Sequence, residues 1–548
     1  MTKQTFLRID NKDNLIVALR TLDRGTTVEV DGEKITLNSE IPAKQKFALT
    51  TFEIGEKATM YGVIVGVATR HIQAGDLITT DNLQHATSAY EEQHESFQWQ
   101  PPHPYESASH EFLGYKRQDG KVGTANYWIF VPLVFCSNQE LFQLKEFLPR
   151  TLGFSSGSRY EKFTNELAEQ IRSGVEMDPG AIDIESSDIQ SNPLFPNVDG
   201  IKFLTHSLGC GSTPDDIDSL CGLLANYITH PNVAGATVIS LGCQKAEISA
   251  LQEQIKLRDP DGFKPVLYFE RQAWNEPTDM LEAVIQQTLA GLQKANEIAR
   301  QPVPISELVV GVECGGSDGF SGISANPVIG RTIDHLVAAG ASAILSEFPE
   351  LCGVENELVA RCRNPQLAER FLQLIGDYRT KVQSVGSDFD LNPSPGNIRD
   401  GLITDAMKSA GAAKKGGTAP VVGVLDYTER QVEHGLNLLC TPGNDVESTT
   451  ALVGSGANLI IFSTGLGTPT GNPIVPVLKV STNSKMARQL EYMIDFDTGS
   501  IISGEQNIDE LGEKLQKMCI ETASGIYRAK ASRLGQEDFI PWKRGVSL

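Results

Sequence analysis

Several apolar, β-branched runs in this chain stop abruptly at glycine and polar residues, and this pattern constrains its fold more than any other feature. Ala236-Thr237-Val238-Ile239-Ser240 runs into Gly242-Cys243-Gln244, and Leu308-Val309-Val310-Gly311-Val312 into Cys314-Gly315-Gly316. Ala343-Ile344-Leu345 meets Glu347, and Leu459-Ile460-Ile461-Phe462 meets Thr464-Gly465. A strand that is apolar on both faces is covered on both faces, the condition of a parallel sheet sandwiched by helices. Amphipathic helical stretches lie between the runs, the longest from Thr278 to Ala299. In such sheets the loops leaving the strand C-termini carry the chemistry. The expected architecture is an α/β catalytic body with parallel-sheet units.

The first 88 residues follow another grammar. Short strand-like runs (Thr27–Val30, Phe47–Thr50, Val63–Ala68) are separated by Asp-Gly and Gly-Glu turn signals, with one helical stretch expected from Asn14 to Leu22. From Ser88 to His110 the chain turns polar and rich in proline and aromatics. That reads as a linker, with Phe97 and Trp99 expected to pin it to a surface. The expected organisation is a small β-rich domain over 1–88, a linker over 89–110, an α/β domain over 111–300 and a C-terminal α/β catalytic domain over 301–548. The last boundary falls at Gln301-Pro302-Val303-Pro304.

At 548 residues the chain exceeds what one core organises. Its net charge of −22 argues against a nucleic-acid partner, which needs a basic stripe. No apolar run approaches the roughly 20 residues that span a bilayer, and Met1–Thr5 does not open a signal peptide. Cytoplasmic residence is the default expectation, with no membrane partner. Nine cysteines without regular spacing read as reduced thiols and not as a disulfide framework.

Four segments carry candidate chemistry. Glu313-Cys314-Gly315-Gly316-Ser317-Asp318-Gly319-Phe320-Ser321-Gly322 follows a buried strand and precedes a helix expected near Pro327. Its glycines let backbone N–H groups turn toward an anion, while Cys, Ser and Asp offer ligands or proton-transfer groups; the alternative is a turn whose glycines only satisfy dihedral demands. His206–Gly211 and Gly242–Lys245 bring His206, Cys210 and Cys243, donors suited to Fe²⁺ or Zn²⁺, although each cysteine reads equally well as a core residue. With Cys314 these thiols are also candidates for an iron–sulfur cluster, without its usual C-x-x-C spacing. Glu347 and Glu350 end an apolar strand, a costly place for carboxylates unless they bind metal or move protons. The loops Thr441–Asp445 and Thr464–Gly471 are similar Gly/Thr-rich segments; the second lacks the Gly-Lys-Ser/Thr ending of a phosphate loop.

From about Gly114 to the C-terminus the chain resembles the altronate dehydratase and galactarate dehydratase family. The resemblance rests on Gly114-Tyr115, Asp119-Gly120, Gly123 and Asn126; Gly209-Cys210-Gly211; Leu241-Gly242-Cys243; and Cys314–Asp318 through Ser321-Gly322 to Ala325-Asn326-Pro327. It continues through Ser346-Glu347, Glu350, Pro395-Gly396-Asn397, Gly401-Leu402, Thr441–Gly443, Phe462–Gly465 and Lys479–Asn483. Residues 1–88 look like the SAF-type β-clip domain of that family. The resemblance implies a hydro-lyase that converts an altronate-like aldonate or galactarate-like aldarate into a 2-keto-3-deoxy acid. A divalent metal is implied, typically Fe²⁺ with Mn²⁺ or Mg²⁺ as substitutes, and a homodimer is the default assembly. Glu347, Glu350, Asp318, Lys46, Asn82 and Asp81 are the expected catalytic residues. Asn126, Gly315, Gly316, Ser317, Ser321, Asn397 and Thr464 are expected to hold substrate, and His206, Cys210, Cys243 and Cys314 the metal.

Two segments depart from the family pattern. A His-x-His-Asn segment is replaced by Thr79-Thr80-Asp81-Asn82, with His85 nearby, and Val-Arg-Asn by Thr124-Ala125-Asn126. The first loses imidazoles that titrate near neutrality, the second an arginine suited to a carboxylate. The lost histidines leave a catalytically impaired sugar-acid binder as one alternative; the resemblance implies another, elimination of a different β group such as sulfite from a sulfolactate-like acid, as related catalytic bodies do.

Overall fold

The computed structural model describes residues 4–88, 97–105, 109–155, 159–176 and 192–548. The linker residues Glu91–Ser96 lie outside the described residues.

The N-terminal unit is β-rich, as expected. Three small antiparallel groups build it: Phe6–Leu7 with Leu15–Ala18 and Lys46–Ala48; Thr27–Val30 with Glu33–Thr36; and Lys57–Met60 with Val63–Ala68 and Leu83–Gln84. Asp31-Gly32 forms a tight hairpin turn with both residues at positive φ, as its sequence demands. The expected helix from Asn14 to Leu22 is instead the strand Leu15–Ala18, buried along its whole length and paired on both edges. Apolar residues in a short run satisfy a buried strand as well as a helix face, and tertiary pairing decides between them.

Two parallel sheets form the body. The smaller orders Gly200–Phe203, Tyr127–Pro132, Val233–Ser240 and Val266–Glu270, all parallel. The larger has seven parallel strands in the order Val421–Leu425, Leu436–Leu439, Ser342–Leu345, Val309–Cys314, Leu459–Thr464, Val477–Ser481 and Phe496–Asp497. After Val309–Cys314 the chain first adds strands on one side, then crosses to the other at Leu459–Thr464. Parallel sheets open a crevice beyond the strand C-termini at such a reversal. The glycine-rich loops after Cys314 and Thr464 both leave the sheet there.

Three features lock the units together. Glu111–Lys116 pairs antiparallel with Val122–Gly123 and with Gln301–Pro304, so both ends of the middle unit meet in one seam. One apolar core runs continuously from the N-terminal unit (Leu15, Met60, Val65) into the large sheet (Val310, Val312, Leu345). In the linker, Trp99 Nε1–H donates to Thr418 Oγ1 at 3.2 Å, while Phe97 stays exposed. Tyr105 supplies the other anchor, stacking on His335 at 3.7 Å between ring centroids. Among the described residues, no helix is long and apolar enough to cross a membrane.

Candidate active site at the strand reversal

Glu313 and Cys314 end the central strand of the large sheet, and its register with Ser342–Leu345 brings Ser346 and Glu347 level with them. Glu347 is buried and left-handed, with φ 67°, unusual for a residue with a side chain. Its backbone N–H donates to Thr441 Oγ1 at 2.8 Å, and its carboxylate accepts from Cys314 N at 3.3 Å. Bonds from two neighbouring strands therefore hold Glu347 in a conformation that its sequence alone disfavours.

Around this point stands a dry cluster of charges. Lys415 Nζ donates to Glu347 Oε2 at 2.7 Å and to Cys314 Sγ at 2.8 Å. The Cys314 thiol donates to Glu350 Oε2 at 3.2 Å, and Lys408 Nζ lies 2.6 Å from Glu350 Oε1. Burial raises the Cys314 thiol well above its ordinary range, and Glu347 and Glu350 raise it further, so it is protonated. Burial also raises Glu313 and Glu347, each with a neighbouring carboxylate adding to the effect. Glu350 feels the same burial, but Lys408 and Lys415 outweigh it and hold the carboxyl below its usual value. Desolvation works against Lys415 as a cation, yet the Glu347 and Glu350 carboxylates keep it charged. Four carboxyl and thiol groups and two ammonium groups thus share one buried space, with at least one carboxyl held protonated. Ser346 and Ser448 hydroxyls donate to Glu313 Oε2 at 3.0 and 2.6 Å, whereas Glu313 Oε1 and Glu347 Oε1 have no hydrogen-bond partner.

The glycine-rich loop links this cluster to a second one. A Cβ on Gly315 would collide with the Asp445 carboxylate, so glycine there permits the close approach. Burial lifts Asp445 to about 7, with Glu347 and Glu350 contributing. At the far end of the loop Asp318 is fully buried. It accepts from Phe320 N and Ser321 Oγ, both at 3.1 Å, from Thr482 Oγ1 at 3.1 Å, and lies 2.9 Å from Lys44 Nζ. Lys44 also donates to Asp400 Oδ1 at 2.9 Å. Beside it Lys46, completely buried, donates to Gly401 O at 2.5 Å. Burial depresses Lys46 to about 7, Asp318 opposing and Lys44 assisting, so a substantial fraction is free amine near neutrality. The N-terminal unit thus delivers two lysines to the body's strand-end loop. Tyr61 makes a further junction: it is left-handed, with φ 58°, and its N–H donates to Asp13 Oδ2 at 3.1 Å. Its hydroxyl fits against Gly322, where a side chain would collide.

Of the expected catalytic residues, Glu347 and Glu350 meet at Cys314, and Lys46 stands in the surroundings of Asp318. Asn82 does not reach out: its Oδ1 accepts from Thr79 N at 2.8 Å and its Nδ2 donates to Leu77 O at 2.8 Å, closing its own turn. Asp81 is exposed on that turn. Among the residues expected to hold substrate, most brace the loop. Asn397 Nδ2 donates to Ser317 O at 2.7 Å from within a capping box, Ser321 bonds Asp318, and Gly316 O accepts from Gly465 N at 3.0 Å. Gly315 N donates to Ser463 O, and Thr464 Oγ1 accepts from Gly467 N and Thr468 N. Asn126 lies in the middle unit, its amide spent on Arg117, Asn197 and Ala295. Sequence reasoning missed Lys44, Lys408 and Lys415. Lys415 sits in Ala412-Ala413-Lys414-Lys415-Gly416-Gly417, and a lysine inside an alanine and glycine run is the signal that was there to find.

The expected metal set does not assemble. His206 Nε2 bonds Pro132 O at 2.8 Å, and its Nδ1 accepts from Leu208 N at 3.1 Å, so neither ring nitrogen is left over. Cys210 and Cys243 are exposed at strand ends of the smaller sheet, and Cys136 is exposed on a third such loop. Cys314 has instead Glu347 and Glu350, all three ligand atoms lying within 4.8 Å of one another. There, however, the Lys415 ammonium bridges Cys314 Sγ and Glu347 Oε2, and Lys408 neutralises Glu350. A cation already stands where an ion would find its ligands, so these residues as arranged do not fit a divalent metal.

Three family models match in succession: the altronate/galactarate dehydratase SAF domain at residues 4–86, the D-galactarate dehydratase/altronate hydrolase second domain at 114–296, and the D-galactarate/altronate dehydratase C-terminal domain at 305–547. The chain is 33% identical to altronate dehydratase of Escherichia coli, across 99% of this chain and all of that protein. It is 30% identical to the L-threo-forming galactarate dehydratase of E. coli, across 97% and 95%. It is also 29% identical to the (2R)-sulfolactate sulfo-lyase subunit beta of Chromohalobacter salexigens, across 78% of this chain and 96% of the other. Parallel strands, glycine-rich loops at their reversal, and this relatedness along nearly the whole length agree: the chain belongs to the altronate/galactarate dehydratase family and is an enzyme of the dehydratase type.

Proposed function

We propose that this enzyme dehydrates an altronate-like aldonate or a galactarate-like aldarate to the corresponding 2-keto-3-deoxy acid. The observation that carries the reading is the buried cluster Glu347–Lys415–Cys314–Glu350–Lys408 at the start of the loop whose far end, Asp318, pairs with Lys44 of the N-terminal unit, beside the fully buried Lys46. Dehydration breaks the C–H bond next to the carboxylate and the C–O bond one carbon further on. The Lys46 amine takes the proton. The electron pair left behind forms the carbon–carbon double bond and expels the β-hydroxyl, which leaves as water with a proton from a raised carboxyl, Glu347 or Glu313. The resulting enol tautomerises to the 2-keto acid. Lys415 and Lys408, fixed in a dry site, favour the negative charge that builds on the substrate carboxylate as the C–H bond breaks. A semicarbazide assay over a panel of aldonates and aldarates tests the reading under reducing conditions with Fe²⁺, Mn²⁺ or Mg²⁺ supplied. Keto acid is expected from at least one; none from any acid with any metal overturns it.

The relatedness to a sulfo-lyase subunit supports a second reading, elimination of sulfite from a sulfolactate-like acid. Sulfite release without keto-acid formation from any sugar acid would favour that reading over dehydration.

A further inference from the structure

Behind the Glu350 pair lies a group of donors that the proposed reaction does not use. His85 comes from the end of the N-terminal unit, Cys352 from the turn two residues past Glu350, and Asp405 from the first turn of the helix Asp405–Ala412, which also carries Lys408. One ligand atom from each lies within 4.8 Å of the other two. Asp405 is wholly buried, and neither of its carboxylate oxygens has a hydrogen-bond partner. Such a carboxyl is costly unless it is protonated or faces a cation. No lysine or arginine pairs with it among the described ion pairs; Arg379 is turned to Asp388 at 2.8 Å, and Lys408 to Glu350. Burial raises Asp405 well above the usual carboxylate range, and Glu350, Asp390 and Glu355 add negative potential around it against the opposing charge of Lys408. His85 Nδ1 accepts from Ala406 N over a long 3.3 Å, a weak bond that an ion bound at that nitrogen would replace. Burial depresses His85, so the imidazole is neutral, the form that ligates.

We propose that His85, Cys352 and Asp405 form a site for one borderline-soft divalent cation, Zn²⁺ or Fe²⁺, with a fourth position open. One nitrogen, one sulfur and one oxygen donor match that class, and a bound ion removes the proton that burial otherwise keeps on Cys352. The ion ties the N-terminal unit to the turn after Glu350 and to the helix turn before Lys408, so it sets the distance between those two charges. It is a positioning site, independent of which acid is the substrate.

The test uses the full chain with Cys136, Cys210 and Cys243 all changed to Ser, so that exposed thiols do not bind. The chain is stripped with a chelator under reducing conditions and titrated with Co²⁺ alone. One Co²⁺ per chain is expected, with a thiolate-to-cobalt charge-transfer band that disappears in Cys352→Ser. His85→Gln, at a half-exposed position, is expected to weaken Co²⁺ binding by more than the roughly 100-fold that loss of an outer partner costs at most. No thiolate band, a band that survives in Cys352→Ser, or unchanged affinity in His85→Gln overturns the proposal. Each readout is independent of turnover, so a failed dehydratase assay does not decide it.

Discussion

Lys46 and Lys415 are two buried lysines with opposite fates. Lys46 faces a backbone carbonyl and shares Asp318 with Lys44, so burial dominates and the amine is released at about pH 7. Lys415 touches Glu347 and Cys314, so it remains an ammonium. If Lys46 is the base, its protonated form is inactive, and kcat/KM should rise with pH through about 7. Lys46→Met should remove that limb and lower the rate by about 10²–10⁴-fold; an unchanged pH profile places the base elsewhere. The same shift acts on stability. Between about 7 and 10.5 the unfolded chain binds more protons at Lys46 than the folded one, so this residue's contribution makes the fold more stable as pH rises across that window. Lys415→Met leaves Glu347 buried without its partner, and a loss of about 3–5 kcal/mol is expected in denaturant unfolding. Restoring part of it with Glu347→Gln in the same chain checks that the charge, and not the lost volume, is the cause.

At the scale of single elements, the strand-end loops and the two sheets were legible, and the short strand Leu15–Ala18 was not. Runs such as Val309–Cys314 and Leu459–Thr464 announce themselves because burial on both faces leaves them apolar throughout. Leu15–Ala18 has the same composition in four residues, too few for either period to show. Site residues divide in the same way. Glu347 and Glu350 stand out as carboxylates at a strand end. Lys408 and Lys415 sit on helical segments brought there by tertiary packing, which no local pattern reports. Asn82, Asn126 and Asn397 were legible as special but not as structural, since a buried amide that closes a turn and one that meets a ligand look alike in sequence. In the smaller sheet, Gly291 on the helix Pro277–Ala295 and Gly235 on the strand Val233–Ser240 both press on the fully buried Trp128. Gly291→Ala puts a methyl into the indole, and a destabilisation of about 1–3 kcal/mol is expected by thermal or denaturant unfolding.

Across the whole molecule, the catalytic reading depends on three units keeping one geometry. Asn458 works at the seam between the middle unit and the large sheet. Its Nδ2 donates to Glu307 O at 2.9 Å, its Oδ1 accepts from Val309 N at 2.8 Å, and its backbone carbonyl accepts from Thr124 Oγ1 at 2.6 Å. Thr124 is one of the residues that depart from the family pattern, and here it stitches units together. Asn458→Leu leaves Glu307 O and Val309 N without their side-chain partner, at about 1–3 kcal/mol for each; hydrogen exchange should show the strand Val309–Cys314 opening more readily. On the other side, Lys44, Lys46, Tyr61 and Thr404 bind the N-terminal unit to the body, with Thr404 Oγ1–H donating to Val65 O at 2.6 Å. This docking was expected through Lys46 and Asn82; Asn82 closes its own turn instead, and the contacts run more broadly through Lys44, Lys46, Tyr61 and Thr404. The missing histidines at positions 79 and 81 therefore do not detach the unit, because the contacts that dock it lie elsewhere on its surface.

If Lys46 and the Cys314 cluster act on one sugar acid, the proton next to the carboxylate leaves first and the β-hydroxyl follows. Sugar acids incubated with the enzyme in D₂O, with keto acid followed by semicarbazide and the product examined by proton NMR, test it most directly. A 2-keto-3-deoxy acid carrying one solvent deuterium at carbon 3 is expected from the unmodified enzyme, and its formation is expected to be lost in both Lys46→Met and Glu347→Gln. Keto acid formed at undiminished rate by both variants, or by neither they nor the unmodified enzyme from any acid tried, would contradict it.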